Sequence, residues 1–453
     1  MITLGPKDII RGESKSEWVA DGGFSPDSYG LNLTKKRGAL YFIDGGTERG
    51  GSGATLTGNV IASAFDKNYL GNENYFLDDE GAFYTYSGTT LTKRQTVTTD
   101  TFALGTTDMV QFKGVTYATG QQRIQALTGG DLTGLTDSFW SGLDSSYRHP
   151  LERVEDSLYV GNINVIGKIT DVATTTAAEI TLPTDVNITS LRKHPDGRTL
   201  LAFCGLTANL PHTKGLGGRV YYIDTVLKKW TREIELDVQV EGSRVVGGVV
   251  YVSYGNNIGY FDGNGIINLK RLATSTTTYS QNMVAVEDIL MTRDGKNVLM
   301  FGDLGAGRVW WKVYRNSGTQ NINNVAYKGD NQILISFSDG GTAGLIYELD
   351  LDNVGVNGSF FSNHYVFEGE THIDRLEILH DLSDPAGTTR FLITSRDHAH
   401  YDNPTVLDKT YSSQSVLKTR EEIDIKTDMF QFSLVPLNDD IGFYQFRFNN
   451  TPI

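Results

Sequence analysis

Hydrophobic and polar positions repeat as one unit along most of the chain. The unit is an apolar strand, a short Gly/Asn/Asp turn, a second alternating strand and then a more polar edge. It reads ENYFLDDEGAFYTYSGTTLTKRQ from Glu73 and GVTYATGQQRIQALTGGDLTGL from Gly114. Further copies begin at Asp156, Arg198, Gly248, Lys296 and Asn331. The starts lie 41, 42, 42, 50, 48 and 35 residues apart, about 43 on average. That is the period of a four-stranded propeller blade. The pattern therefore predicts an all-β chain whose centre, residues 58–357, is a β-propeller of seven blades. Six or eight blades also fit, because the 35-residue step accommodates a merged or degenerate blade. A large β-sandwich with coincidental spacing is the competing architecture.

Turn chemistry sharpens the picture. HPDGRTLLAF (His194–Phe203) and TRDGKNVLMF (Thr292–Phe301) share an Asp-Gly followed by a basic residue, 98 residues apart, close to two periods. Asp-Gly supplies the positive φ of a tight hairpin, expected here between the first and second strands of a blade. Residues 1–57 fall outside the period and read as an N-terminal arm, with Gly45–Gly58 a Gly-rich linker. Trp18, Phe24 and Tyr29 favour packing of that arm, since aromatic rings are costly to leave in water. Residues 358–453 hold longer strands with clean period-two alternation: Phe430, Phe432 and Leu434 share one face, and Tyr444, Phe446 and Phe448 another, with Gln445 and Arg447 opposite. These predict a C-terminal β-sandwich-like domain or sheet flap. The sequence predicts no helix.

Composition narrows the class. The chain has 453 residues, 40 Lys+Arg against 54 Asp+Glu, a net charge of −14, and 50 Gly. Hydrophobic residues at 39% support a sizeable core, and the glycines point to turns. The single cysteine, Cys204, excludes an intrachain disulfide and suits a reducing compartment as a packed thiol. No apolar run approaches a membrane span, so no stable membrane insertion is expected. The opening MITLGPKDIIRGESK lacks a basic-then-apolar secretion pattern. A net acidic chain is a poor candidate for gripping phosphates.

Catalytic signals are scarce. Ser336–Thr342 has the residue types of a sialidase Asp-box without its spacing or Trp and reads as a turn. Asp78-Asp79-Glu80 and Glu421-Glu422 read as solvated turns or edges, with no opposed carboxylate pair fixed by spacing. Five of eight histidines, His364, His372, His380, His398 and His400, lie in the C-terminal part. His398 and His400 share a strand face near Asp397 and Asp402, but no third metal ligand is set by spacing. Asp262-Gly-Asn264-Gly265 begins like a calcium loop and lacks its later carboxylate. Lys35-Lys36-Arg37 is too short for nucleic-acid binding and suits an acidic neighbour. Trp310 and Trp311 face opposite sides of one strand, one as core and one as an inter-blade or surface anchor. Phosphate-loop, dinucleotide and nucleophile-elbow motifs are missing. The expectation is a non-enzymatic chain with no catalytic, cofactor-binding or metal residues and no cofactor.

Three features together resemble the propeller-containing tail hub or nozzle proteins of short-tailed bacteriophages. The first is the arm element Asp27-Ser28-Tyr29-Gly30-Leu31-Asn32-Leu33 followed by Gly38-Ala39-Leu40-Tyr41-Phe42. The second is a diverged propeller without catalytic motifs. The third is a C-terminal β-domain entered at Tyr365–Gly369 and ending in the aromatic strand Phe443–Phe448. The resemblance implies a structural virion protein of a phage tail or neck. It would form a six-copy homo-oligomeric ring around the DNA exit channel and be assembled in the host bacterial cytoplasm. Adaptor, fibre or tip proteins would be its partners, and DNA only passing cargo that a carboxylate-lined lumen does not retain. Two other readings compete: a tail-tip propeller that binds a host receptor or glycan, and a carbohydrate-active enzyme with an unrecognised site.

Overall fold

The computed structural model describes residues 2–4, 28–29, 31–33, 40–42, 46–49, 56–66, 73–129, 131–171, 174–206, 217–273, 279–303, 308–338, 344–352, 358, 360–362, 365–380, 388–395, 405–412, 418–438 and 443–452. Seven four-stranded antiparallel sheets follow one another along it, as a seven-bladed propeller requires. Their first strands are Val60–Asp66, Met109–Phe112, Leu151–Val154, Val186–Lys193, Gly242–Val246, Met283–Val286 and Ile322–Gly329. Each of these touches the first strand of the next blade, and the last returns to the first, so they ring a central axis.

Burial explains why the repeat is visible in the sequence. The second strands are sandwiched between neighbouring blades on both faces. Val115–Thr119 is buried at every position, and Leu158–Gly161 and Val250–Ser253 likewise. Outer strands face water: Thr175–Thr181 and Lys229–Leu236 are mostly exposed, with only Ile180 and Leu236 buried, which is the polar edge of the repeat. Neighbouring blades interlock through apolar clusters such as Leu201, Phe203, Val220, Val250, Val252 and Phe261 between the fourth and fifth.

The uneven steps of the repeat have a simple cause. Second strands begin at Glu73, Val115, Ser157, Thr199, Val249, Ile289 and Gln332, steps of 42, 42, 42, 50, 40 and 43 residues. Lys296 precedes the third strand of the sixth blade, Asn297–Asp303, so the 48- and 35-residue steps compensate one another and no blade is merged. The Asp-Gly turns correspondingly differ. Asp196-Gly197 joins first and second strands as expected, whereas Asp294-Gly295 lies between second and third. In the sixth blade the first turn is made instead by Glu287-Asp288, with Glu287 at φ 54°.

The segment read as a Gly-rich linker contributes structure. Thr47–Glu48 pairs antiparallel with Gly344–Asp350, Tyr347 opposite Glu48, and supplies the fourth strand of the last blade. An early strand thus completes the last sheet and closes the ring non-covalently. Nearby, Asp78, read as part of a solvated acidic turn, is fully buried. Its carboxylate accepts bonds from Thr57 Oγ1 (2.8 Å), the Gly58 amide (3.0 Å), the Ala82 amide (2.7 Å) and Tyr84 Oη (2.9 Å). It fastens the start of the first blade to its second turn, while Asp79 and Glu80 are exposed. Asp78→Asn turns an amide NH2 toward these donors and should cost about 2 kcal/mol, read as a lower thermal midpoint.

Contacts divide the chain into two compact units. One comprises residues 47–296 and 318–348. The other comprises 1–46, 297–317 and 349–453. The second unit contains a single seven-stranded antiparallel sheet, the form taken by the predicted sandwich-like domain. Its long strand Lys418–Asn438 pairs with Tyr365–His380 in its first part and with Thr388–Ser395 in its last. Phe430, Phe432, Leu434, Phe446 and Phe448 are buried as the alternation predicts, and Phe360 joins them. Phe443 is buried as well, because a register shift at Leu379–His380 turns it toward Phe446. The arm belongs to this sheet: Ile2–Leu4 pairs with Phe446–Phe448. Trp310 and Trp311 are both buried, Trp310 stacked on Phe301 at 4.7 Å, so neither is a surface anchor. Trp18, Phe24 and Lys35-Lys36-Arg37 lie outside the described residues; Tyr29 carries the Arg315 guanidinium over its ring at 5.3 Å.

Candidate functional site

The most built-up polar region of the first unit sits on the propeller axis. A three-residue 3-10 turn, Ser280–Asn282, enters between the fifth and sixth blades and spans the ring. It is the sole helical element among the described residues. Ser280 Oγ accepts from the Ser243 amide (3.0 Å) and lies 3.3 Å from Ser190 Oγ. Gln281 donates to the Asp108 carboxylate and accepts from the Ser63 amide (3.2 Å), while Asn324 donates to the Gln281 carbonyl (3.3 Å). This turn is therefore held by the first, second, fourth, fifth and seventh blades. Gly242 allows its close approach, since a Cβ there would lie 2.4 Å from the Ser280 nitrogen. Gly105, at φ +91°, seats the Tyr279 ring in the same way.

Beside this plug lies a buried charge network. Arg192 donates to Glu152 Oε2 (2.5 Å) and to Ser243 Oγ (3.3 Å). Asp108 accepts from the Leu151 amide (2.9 Å) and the Met109 amide (2.9 Å) as well as from Gln281. Burial pushes the pKa of Asp108 up, opposed by those amides and by Arg192. Glu152 is likewise pushed up by burial against the pull of Arg192 and Arg244. Arg244 is lowered to about 10, by burial first and by the like charge of Arg192 second. Two carboxylates and two guanidiniums from four blades thus balance one another in a low-dielectric interior.

A cavity of about 240 Å³ adjoins the plug. Ser63–Phe65, Met109–Gln111, Met283–Ala285 and Ala326-Tyr327 of the inner strands line it, together with Asn74, Arg244, Ser280 and Gln281. The turns at the ends of the inner strands are short and mostly acidic. Glu155-Asp156, Asp196, Glu287-Asp288 and Asp330 stand exposed on them, against Lys113 and Arg198.

The residues singled out from sequence do not converge here. Ser336–Ser338 ends a strand of the last blade, and 339–343 lie outside the described residues. Asp262 caps its own turn by accepting the Asn264 and Gly265 amides at 2.8 Å. Glu422 is exposed on Lys418–Asn438. His364, His398, His400, Asp397 and Asp402 lie outside the described residues, as does the side chain of His380; His372 is half-buried in Tyr365–His380. Among the described residues no three His, Cys, Asp or Glu side chains form a metal-ligand group. Cys204 is buried in Thr199–Leu206, and burial pushes its thiol pKa up.

The inner network escaped sequence reading because Asp108, Glu152, Arg192 and Arg244 stand one to a blade, 44, 40 and 52 residues apart, in or beside ordinary strands. His149 escaped too. It is fully buried, its ring nitrogens facing the carbonyls of Gly161 (3.2 Å), Gln121 (3.1 Å) and Asp144 (3.1 Å). Burial lowers its pKa from 6.5, outweighing those carbonyls. The unfolded chain then takes up the proton first, and His149 should cost stability as pH falls below about 6.5. An NMR titration of its ring should place its midpoint below that value.

No protein-family model matches the sequence, and a search of curated proteins gives no match. Solved structures similar to the chain are propellers and other proteins. The Dos1 propeller aligns at TM-score 0.44 and 13% identity, covering 66% of this chain and 93% of that one. Raptor from Chaetomium thermophilum aligns at TM-score 0.44 and 14% identity, covering 65% and 29%. A GH74 enzyme from Niastella koreensis aligns at TM-score 0.43 and 16% identity, covering 72% and 59%. At these values the propeller assignment rests on the sheet order and the closed ring of inner strands.

Proposed function

We propose that this chain is a structural virion protein of a bacteriophage tail or neck, a ring-forming propeller of the tail hub or nozzle type. The observation that carries the reading is where the segments of the resemblance lie. Leu31–Asn32 pairs with Tyr41–Phe42, uniting the two halves of the arm element. Leu40 exchanges backbone hydrogen bonds with Phe443, 2.8 and 2.9 Å, at the start of the aromatic C-terminal strand. Three motifs, the first and last 412 residues apart (Leu31 to Phe443), thus form one unit.

The propeller supplies further support. Its axis is plugged, and its inner charges pair carboxylates with guanidiniums rather than setting two carboxylates opposite one another. The inner-strand turns bear carboxylates, which do not retain passing DNA. On the outer edge of the fourth blade, Val226, Leu227 and Trp230 are exposed at 76%, 60% and 40% beside the edge strand Lys229–Leu236. An exposed apolar group on an open edge suits lateral contact between copies. Host-receptor binding by the same propeller is the second reading, since the acidic turns also offer a docking face.

Mass spectrometry of purified virions from the phage that encodes the chain tests the proposal. The chain should be a stoichiometric virion component, in several copies per particle. Its absence from virions would refute the reading, and saturable glycan or host-cell binding by the isolated chain would favour the second.

A further inference from the structure

The axial cavity holds polar groups that the protein itself leaves unanswered. Asn74 lines it and is fully buried, yet neither its amide nitrogen nor its carbonyl oxygen has a hydrogen-bond partner. Gln111 lines it as well. Its nitrogen donates to Thr116 Oγ1, and its buried Oε1 has no donor. Arg244, half-buried, faces the same space with no hydrogen bond of its own; the Glu152 and Asp108 carboxylates act on its charge, while Glu152 is bonded by Arg192. Buried polar atoms in native proteins nearly always find partners, so the unpartnered Asn74 amide and Gln111 Oε1, with the Arg244 guanidinium beside the same cavity, call for an occupant.

Their chemistry specifies it. Arg244 offers a planar fork that fits a carboxylate, and the Asn74 NH2 can add a third donor to the same group. The Gln111 and Asn74 carbonyl oxygens call for N–H or O–H donors on the ligand. Phe65, Met109, Met283 and Val284 provide an apolar wall. At about 240 Å³ the space lies below the roughly 300 Å³ lower bound of drug-sized pockets and fits a small molecule. The exposed Glu155, Asp156, Glu287, Asp288 and Asp330 repel a plain anion but not a neutral zwitterion.

We propose that the propeller's axial cavity binds a small zwitterionic α-amino acid with an apolar side chain. The carboxylate sits on Arg244 and Asn74, the ammonium on the Gln111 and Asn74 carbonyls, and the side chain against Phe65, Met109 and Met283. This site is independent of the virion reading.

Titration calorimetry of the full chain with leucine, 4-methylpentanoate and isopentylamine tests it. Leucine should bind saturably, and the two analogues, each lacking one charged group, about tenfold or more weakly. Arg244→Met should weaken leucine about tenfold or more. Because that substitution also unbalances the inner charges, Asn74→Leu is the second variant. It removes an amide that makes no hydrogen bond, so the thermal midpoint should hold or rise while leucine binding falls. Absence of leucine binding to the parent chain overturns the proposal. Equal binding of 4-methylpentanoate, or leucine binding unchanged in a folded Asn74→Leu protein, does so as well.

Discussion

Replacing Glu348 by alanine should lower the unfolding free energy by about 3–5 kcal/mol, the cost of leaving buried charges without their partner. Glu348 stands on the third strand of the last blade and is only 7% exposed. It accepts from Lys328 Nζ (2.9 Å), from Arg49 Nη2 (3.4 Å) and from Tyr86 Oη. Those partners come from the first strand of the last blade, from the residue following the closing strand Thr47–Glu48, and from the third strand of the first blade. One carboxylate therefore fastens the three parts that must meet for the ring to close. Truncation strands Lys328 in an interior position and releases Arg49, which is partly exposed and contributes less. Chemical denaturation of Glu348→Ala beside Glu348→Ala/Lys328→Met checks this. The double variant should recover part of the loss, because it no longer carries a bare ammonium.

The same residue sets a pH signature. Burial pushes the Glu348 pKa up, but the bonds from Tyr86 and Lys328 and the charge of Arg49 bring it below its ordinary 4.5. A carboxylate held ionised in the folded state contributes stability above its unfolded pKa. That contribution is lost as pH falls through the folded value. His149 acts in the same direction at higher pH. Asp108 and Glu152 act oppositely, since their raised pKa values mean that acidification relieves a cost. Glu348→Gln should accordingly flatten the acid limb of the stability curve.

Glu152→Ala is the second large effect, again about 3–5 kcal/mol. Its removal leaves Arg192 and Arg244 as like charges in the interior, with Asp108 the nearest remaining carboxylate of the network. Pairing it with Arg192→Met removes the excess charge, so the double variant should unfold later than Glu152→Ala alone. Equilibrium denaturation of the three proteins, with near-ultraviolet dichroism to verify native packing, checks the ordering. A Glu152→Ala protein as stable as its parent would mean that the network is solvated rather than buried.

Legibility in the sequence followed burial. Second strands such as Val115–Thr119 are covered on both faces, so selection for apolar residues leaves a periodic trace. The aromatic strands Met429–Leu434 and Phe446–Phe448 show alternation because Phe430, Phe432, Leu434, Phe446 and Phe448 fill the aromatic core, while the other positions are more mixed, Met429 and Ser433 buried and Gln431 and Arg447 half-buried. Thr47–Glu48 left no trace: two exposed polar residues among glycines look like a linker, and only their partner strand makes them part of a blade. The Asp-Gly turn at Asp294 misplaced the start of the sixth blade because a tight hairpin has the same chemistry at any strand junction. Ser280–Asn282 reads as a polar loop, and its significance lies in partners from five blades. Asn74, Gln111 and Arg244 each sit in unremarkable strand sequence, and their convergence is a property of ring closure alone.

The reading of the chain as a ring-forming virion component is tested most directly by native mass spectrometry of the purified 453-residue chain. The expected result is a closed assembly at six times the 49.9 kDa chain mass, persisting on dilution into the low micromolar range. A monomer at 49.9 kDa under the same conditions would contradict it.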